Sequence, residues 1–153
     1  MLVGTQMIVK GHDFPNVTLV GVLAADISLY ASDYRAAERT FQLLTQAAGR
    51  AGRGEQAGEA VIQTYMPEHY SIQAAVKQDY EAFYRQEIAY RNLMGYPPVE
   101  TMMGIYLSAG DQELLEEKTK ALGIFIREMQ QQEVLMIGPA DAALTRLNDR
   151  YRK

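Results

Sequence analysis

Cysteine is absent from the chain, which excludes disulfides and thiolate zinc sites within it. Histidine is scarce as well: His12 and His69 are the 2 among 153 residues and stand far apart, so no metal site is expected. No apolar run approaches the ~18 residues that a membrane-spanning helix needs, and no signal-like leader is present. The expectation is a cytoplasmic protein with no membrane partner. Excess positive charge is missing too. With a formal net charge of -4, the chain is not a basic nucleic-acid coat, and any DNA contact must rest on local patches or on segments outside it. Two chemical signatures are also lacking: there is no G-x-x-x-x-G-K-[ST] phosphate loop, and no Asp-Glu pair to hold magnesium and position water.

What is present is enough apolar content, 48%, to build a buried core. Val17 to Ala25 is nearly continuous apolar and Val/Leu-rich, the pattern of a strand buried on both faces of a parallel sheet, with Asp26 at the following loop. Ser32 or Asp33 can cap a helix whose Ala37, Phe41, Leu44 and Ala48 form one apolar stripe ending at Gly49. Glu59 to Tyr65 reads as a second short strand. A long helix is predicted from Tyr70 to Met94, with Ile72, Val76, Tyr80, Phe83 and Tyr90 near one side, closing at Gly95 and Pro97-Pro98. A second strand-helix-strand unit follows: Thr101 to Ser108, a helix capped by Asp111 that carries Leu115, Leu122, Phe125, Ile126 and Met129, and a return strand at Val134 to Ile137. The fold class is therefore α/β.

The densest chemistry lies in Gln46-Ala47-Ala48-Gly49-Arg50-Ala51-Gly52-Arg53. Its five fixed positions, Gln46, Gly49, Arg50, Gly52 and Arg53, would arise by chance about once in ten thousand such chains. Two arginines three apart at a glycine-flanked helix end can both aim planar, permanently charged forks at one polyanion. The bland alternative is a solvated Arg/Gly surface turn. His12 reads as an exposed loop histidine, and Tyr80, Phe83, Tyr84 and Tyr90 read as core rather than as a base-stacking platform. The eight methionines are packing material. Between Arg146 and Lys153, four basic residues face one acid, Asp149, with Tyr151 among them. This tail can hold phosphates while its ring stacks on a base, or can be a solvated chain end.

These residues resemble a known pattern. Gln46 to Arg53 is similar to motif VI of the superfamily two helicases, and Gly4 to Phe14 resembles their motif V, in the expected order. With Arg35 to Thr45, Gly95 to Pro98, Ile137 to Ala140 and Arg150 to Arg152, the resemblance narrows to the primosomal protein N′ (PriA) family of replication-restart DNA helicases. It implies a partial RecA-like lobe carrying motifs V and VI over residues 1–69, a helical connector over 70–98, and a truncated α+β C-terminal domain for DNA and partner binding over 99–153.

The resemblance further implies that Arg50 and Arg53, supported by Gln46, reach the ATP γ-phosphate, with Gly49 and Gly52 shaping that turn. Gly11 and Asp13 match positions that couple nucleotide to DNA, while Thr5 and Lys10 lie in the motif that touches the nucleic-acid backbone. Taken alone, Thr5 and Asp13 read equally well as a strand-end hydroxyl and a turn cap. Arg150 and Arg152 are the implied contacts to branched DNA or to single-stranded DNA-binding protein. The implied parent hydrolyses ATP with magnesium, carries zinc in a cysteine-rich insert absent here, works with other primosome proteins near the nucleoid, and moves 3′-to-5′. The piece itself is expected to hold no tight cofactor, to lack activity, and to form a homo-oligomer through truncation. The alternative is a DNA- or partner-binding module without activity of its own.

Overall fold

A computed structural model of the chain describes residues 1–5, 16–52, 57–129 and 134–153. They fall into two compact units, Met1–Met102 and Met103–Lys153. In the first, β1 (Leu19–Val22) and β2 (Glu59–Ile62) pair in parallel, with Leu19 opposite Glu59 and Val22 opposite Ile62. Between them the chain crosses through a 3-10 turn, Ile27–Tyr30, and helix α1, Ala36–Ala48. This is the parallel α/β layering that the sequence predicts.

Burial of β1 on both faces is not observed. Val22 and Ile62 pack against the core, but Leu19 and Val61, on the opposite side of the pleat, stay exposed, because the described residues supply a sheet of two strands only. The cap of α1 also differs from expectation. Arg35 occupies that position without a side-chain capping bond, and Asp33 acts earlier, its carboxylate accepting the Arg35 amide at 2.9 Å and pairing with Arg39 at 2.8 Å. The buried stripe is Ala36, Thr40, Phe41, Leu44 and Ala47, not Ala37 and Ala48. Thr40 can be buried because its hydroxyl is fully used: it donates to the Ala36 carbonyl at 2.9 Å and lies 2.6 Å from the Ser28 hydroxyl of the 3-10 turn.

The single helix predicted from Tyr70 to Met94 is two. Gln78 takes a left-handed φ of 53° and ends α2 (Tyr70–Lys77), and Asp79 opens α3 (Tyr80–Met94) by accepting the Ala82 amide at 2.9 Å. Gly95, with φ 64°, stops α3 as expected. The break turns Phe83, Glu87 and Arg91 inward and leaves Tyr80, Tyr84 and Tyr90 exposed, so of the four aromatics assigned to the core only Phe83 belongs there. Phe83 stacks on Phe41 at 4.3 Å between centroids, and Leu44, Ile72, Ala74 and Ala75 close the core around them.

The other inward residues of α3 form a polar joint. Arg91 donates to Glu87 at 2.7 Å, to the Pro97 carbonyl at 2.9 Å and to Glu38 of α1 at 2.8 Å, while the Tyr70 hydroxyl donates to Glu87 at 2.6 Å. Glu87 and Arg91 are both buried. Burial works against the Arg91 charge, yet the bonds from Glu38 and Glu87 raise its pKa above the ordinary value. Burial and the bond to Glu87 push the Tyr70 phenol far up, keeping it a donor.

In the second unit the strand predicted over Thr101 to Ser108 shrinks to β3 (Ser108–Ala109), and Met103 and Ile105 are exposed. Helix α4 (Gln112–Met129) is capped by Asp111 as predicted, through the Leu114 amide at 2.9 Å. It buries Leu115, Thr119 and Gly123, whereas Phe125 and Met129 face outward. Gly123 lies on this face, where a Cβ would meet Pro139 and Met136 at ordinary contact distances of 3.4 and 3.5 Å. Val134 to Ile137 forms no strand. The chain closes instead with a hairpin, β4 (Arg146–Leu147) and β5 (Arg150–Arg152), in antiparallel order β3-β5-β4. Its two-residue turn is Asn148-Asp149, both with positive φ, the conformation that suits a tight hairpin.

Two outcomes are expected. The open apolar side of the two-stranded sheet, with Leu19, Leu23 and Val61 exposed, should drive self-association; light scattering that reports a monomer at every concentration would contradict this. The second concerns His69, whose Nδ1 accepts the Ser71 amide at 3.3 Å and so caps α2. Burial holds this imidazole below its ordinary 6.5, opposed by Glu87. The unfolded chain thus binds the proton more tightly. The contribution of His69 is complete above the ordinary value and is lost as pH falls through it toward the lower folded value. Urea midpoints should drop over that window, and His69→Asn should flatten the drop; an unchanged slope in the variant would refute the cap's pH dependence.

Candidate functional site

The predicted chemistry gathers where α1 ends. Gln46 is exposed on the last turn, and the Gly49 amide closes the helix on the Thr45 carbonyl at 3.0 Å. The Arg50 and Ala51 amides then donate to Ala47 and Ala48 at 3.0 and 3.1 Å, tapering the helix into a turn. Gly52 follows with φ 73°, a conformation costly for any other residue, and its amide donates to the Val17 carbonyl at 2.9 Å. The chain crosses itself here: a Cβ on Gly52 would stand 2.8 Å from the Gly58 nitrogen, and one on Gly58 would overlap the Gly52 backbone. One residue later the Glu59 amide joins the Thr18 carbonyl at 2.8 Å and β2 begins.

Gln46, Gly49, Arg50 and Gly52 are therefore assembled on one turn. That turn is pinned to Val17, close after the segment that carries Lys10, Gly11, His12 and Asp13. Those four residues and Arg53 lie outside the described residues. Thr5 is described and exposed.

The turn stands at the amino end of β1. Parallel sheets commonly bind ligands at their carboxyl ends, but here that end is occupied by internal bonds. The buried Asp26 carboxylate accepts the Thr64 hydroxyl at 2.9 Å and the Tyr65 amide at 3.0 Å, and Gln63 Oε1 accepts the Ala24 amide at 2.7 Å. The Tyr65 amide, opposed by burial, holds the Asp26 carboxyl below its usual value. The end of a helix carries partial negative charge, which repels an anion. The backbone at this turn, the carboxyl end of α1, therefore does not attract an anion.

The basic tail is ordered into the hairpin and divided by its pleat. Arg150 and Arg152 share one face of β5, and Tyr151 faces the other way, opposite Arg146 in the register. Tyr151 is covered by the Arg146 guanidinium, 5.3 Å from the ring centre, so the ring is not set between the two arginines of β5. Arg150 donates to the Ser108 carbonyl at 2.9 Å and hydroxyl at 3.3 Å. Lys153 pairs with Asp141 at 2.8 Å, the bond that raises its pKa.

Comparison with known proteins decides the kinship. Over 152 residues, 99% of the chain, it is 46% identical to replication restart protein PriA of Bacillus subtilis. The chain is a PriA relative. The PriA proteins of Synechocystis and Haemophilus influenzae are 43% and 38% identical over the same 99%. The chain spans about a fifth of these PriA proteins, 19%, 18% and 21% of their lengths. No family model matches it.

The sequence reading overlooks Glu38, Tyr70, Glu87 and Arg91, which join the helix bearing this turn to α2 and α3. The one local trace of them is the Glu87-Arg91 pair at helical i, i+4 spacing. The glycine crossing yields a prediction. Gly58→Ala must displace the turn, so NMR amide shifts should change across Gly49 to Gly52. Gly21→Ala, where a Cβ meets nothing within 4 Å, should leave those shifts in place. Unchanged shifts in Gly58→Ala would contradict the crossing.

Proposed function

We propose that the chain is part of an ATP-dependent 3′-to-5′ DNA helicase that restarts stalled replication forks and loads the primosome, and that it supplies the arginine half of the ATPase site. The observation that carries this reading is the turn of Arg50, held by the Gly52 amide against Val17, which follows in sequence the segment resembling motif V. In such a site Arg50 and Arg53 stabilise charge developing on the γ-phosphate, and Gln46 helps hold the arrangement. Gly11 and Asp13 couple that event to DNA, with Thr5 and Lys10 at the nucleic-acid backbone. The residues that cradle ATP and bind magnesium belong to another lobe, and zinc to a cysteine-rich insert. Among the described residues no group of three or more histidine or acidic side chains could hold a metal ion, so neither metal is assigned to them. Working partners in this reading are forked or single-stranded DNA, single-stranded DNA-binding protein and other primosome proteins, in the bacterial cytoplasm near the nucleoid.

A second reading, a binding module, is favoured by one observation: among the described residues the Arg152 guanidinium has no hydrogen-bonding or ionic partner, and it shares its face with Arg150. Both roles fit within one protein.

In the complete helicase, Arg50→Ala should cut ATP turnover by about 10³ to 10⁵, the scale of an arginine finger, and leave DNA affinity intact. Adding Arg53→Ala should cost far less than the product of the single losses, since the two act as a unit. Turnover within a few-fold of the unaltered enzyme would overturn the assignment. Arg152→Ala should do the converse, weakening DNA binding and lowering its salt slope by about one.

A further inference from the structure

Three tyrosines of the first unit stand in a row with a cation at one end. Tyr34, just ahead of α1, lies 5.6 Å from Tyr96 between ring centres, and Tyr96 lies 6.2 Å from Tyr90 of α3. The last two rings meet edge to face at 62°, so at least one face of Tyr90 has no ring against it, and this residue is 44% exposed. The other two rings are held in place. The Arg91 guanidinium sits over Tyr34 at 5.3 Å, and the Arg91 carbonyl accepts the Tyr96 amide at 2.8 Å. At the far end of the row Arg35 lies over Tyr34 at 5.0 Å and donates from Nε to its hydroxyl at 2.9 Å. The acids nearest to it in sequence are both taken, Asp33 by Arg39 and Glu38 by Arg91, each at 2.8 Å. Among the described residues the exposed Arg35 side chain therefore has no ion pair, and its two terminal nitrogens have no hydrogen-bond acceptor.

A free guanidinium fork matches the paired oxygens of a phosphate, and an open aromatic ring takes the face of a base. Single-stranded nucleic acid offers both along one backbone, whereas a duplex keeps its bases stacked on one another. Rings already fixed by Arg91 lose little freedom when such a strand settles on them, which favours binding. We propose that Tyr90 and Arg35 form a contact for single-stranded nucleic acid, with a base stacked on Tyr90, a phosphate gripped by Arg35, and Tyr34 and Tyr96 as the rigid link between them. The contact adds to the residues named above for DNA and does not depend on Arg50 facing a nucleotide. The hairpin of the second unit lacks this combination, because Arg146 covers its ring, Tyr151.

The test uses the 153-residue chain and a single-stranded oligodeoxyuridylate carrying iodouracil, which crosslinks on irradiation to an aromatic ring stacked on it. Crosslinked peptides should map to Tyr90. Tyr90→Ala should weaken binding of the oligonucleotide by about 5- to 150-fold, the scale of one lost base stack. Tyr90→Phe, which keeps the ring, should bind like the unaltered chain, and this pair of variants separates stacking from any loss of fold. An abasic oligonucleotide of the same length should not distinguish Tyr90→Ala from the unaltered chain, since it has no base to stack. Arg35→Gln should instead lower the salt slope of binding by about 0.7, the value of one phosphate contact to a single strand. Crosslinks confined to Tyr151, or an affinity unchanged in Tyr90→Ala, would overturn the proposal. So would protection of Tyr90 from the crosslink in the complete helicase, because a protein segment would then cover this face.

Discussion

The first unit depends on a buried guanidinium shared by two carboxylates. Arg91 touches α1, its own helix α3 and the Gly95–Pro98 turn together, and Tyr70 brings α2 into the same network through Glu87. Removing Arg91 from such a joint leaves the buried Glu87 carboxylate without its ion pair, a loss that typically costs about 3 to 5 kcal/mol. The apolar core around Phe41 and Phe83 holds the same helices together without direction. The polar joint adds direction, because a fork with three acceptors is satisfied in one arrangement. Through it α1 acquires a defined orientation, and with that orientation comes the place of Arg50.

From this constraint the rest of the candidate site follows. α1 ends in glycine, the chain turns at Gly52, and the contact with Gly58 is close enough that neither position accepts a side chain. The result is a turn that presents arginine at the amino end of the strands, while the carboxyl end is closed by Asp26, Thr64 and Gln63. The chain spans about a fifth of the PriA proteins it resembles, 19% in the Bacillus subtilis case.

Much of this was legible in the sequence where the signal is local. The stripe of Phe41 and Leu44, the stops at Gly49 and Gly95, and the Asp111 cap all arise from residues within a turn or two of each other. What escaped reading was either non-local or conformationally unusual. Gln78 adopts a left-handed conformation without being glycine, so nothing in its identity announces the break between α2 and α3, and the outward turn of three tyrosines follows from that break. The hairpin rests on Asn148-Asp149, a weaker cue than a glycine-containing pair, and without it the alternation that separates Arg150 and Arg152 from Tyr151 is invisible. The Arg91 joint pairs residues up to 53 positions apart. The motif around Arg50 is local in sequence, whereas the contacts that position its helix are not.

In the proposed function Arg50 faces the transferring phosphate. The most direct measurement is a structure of the complete helicase with ADP and a metal fluoride that mimics the transition state. An Arg50 guanidinium nitrogen should lie about 2.7 to 3.1 Å from a fluorine, the distance at which a donor stabilises developing charge. A guanidinium turned away into solvent in that complex would contradict it.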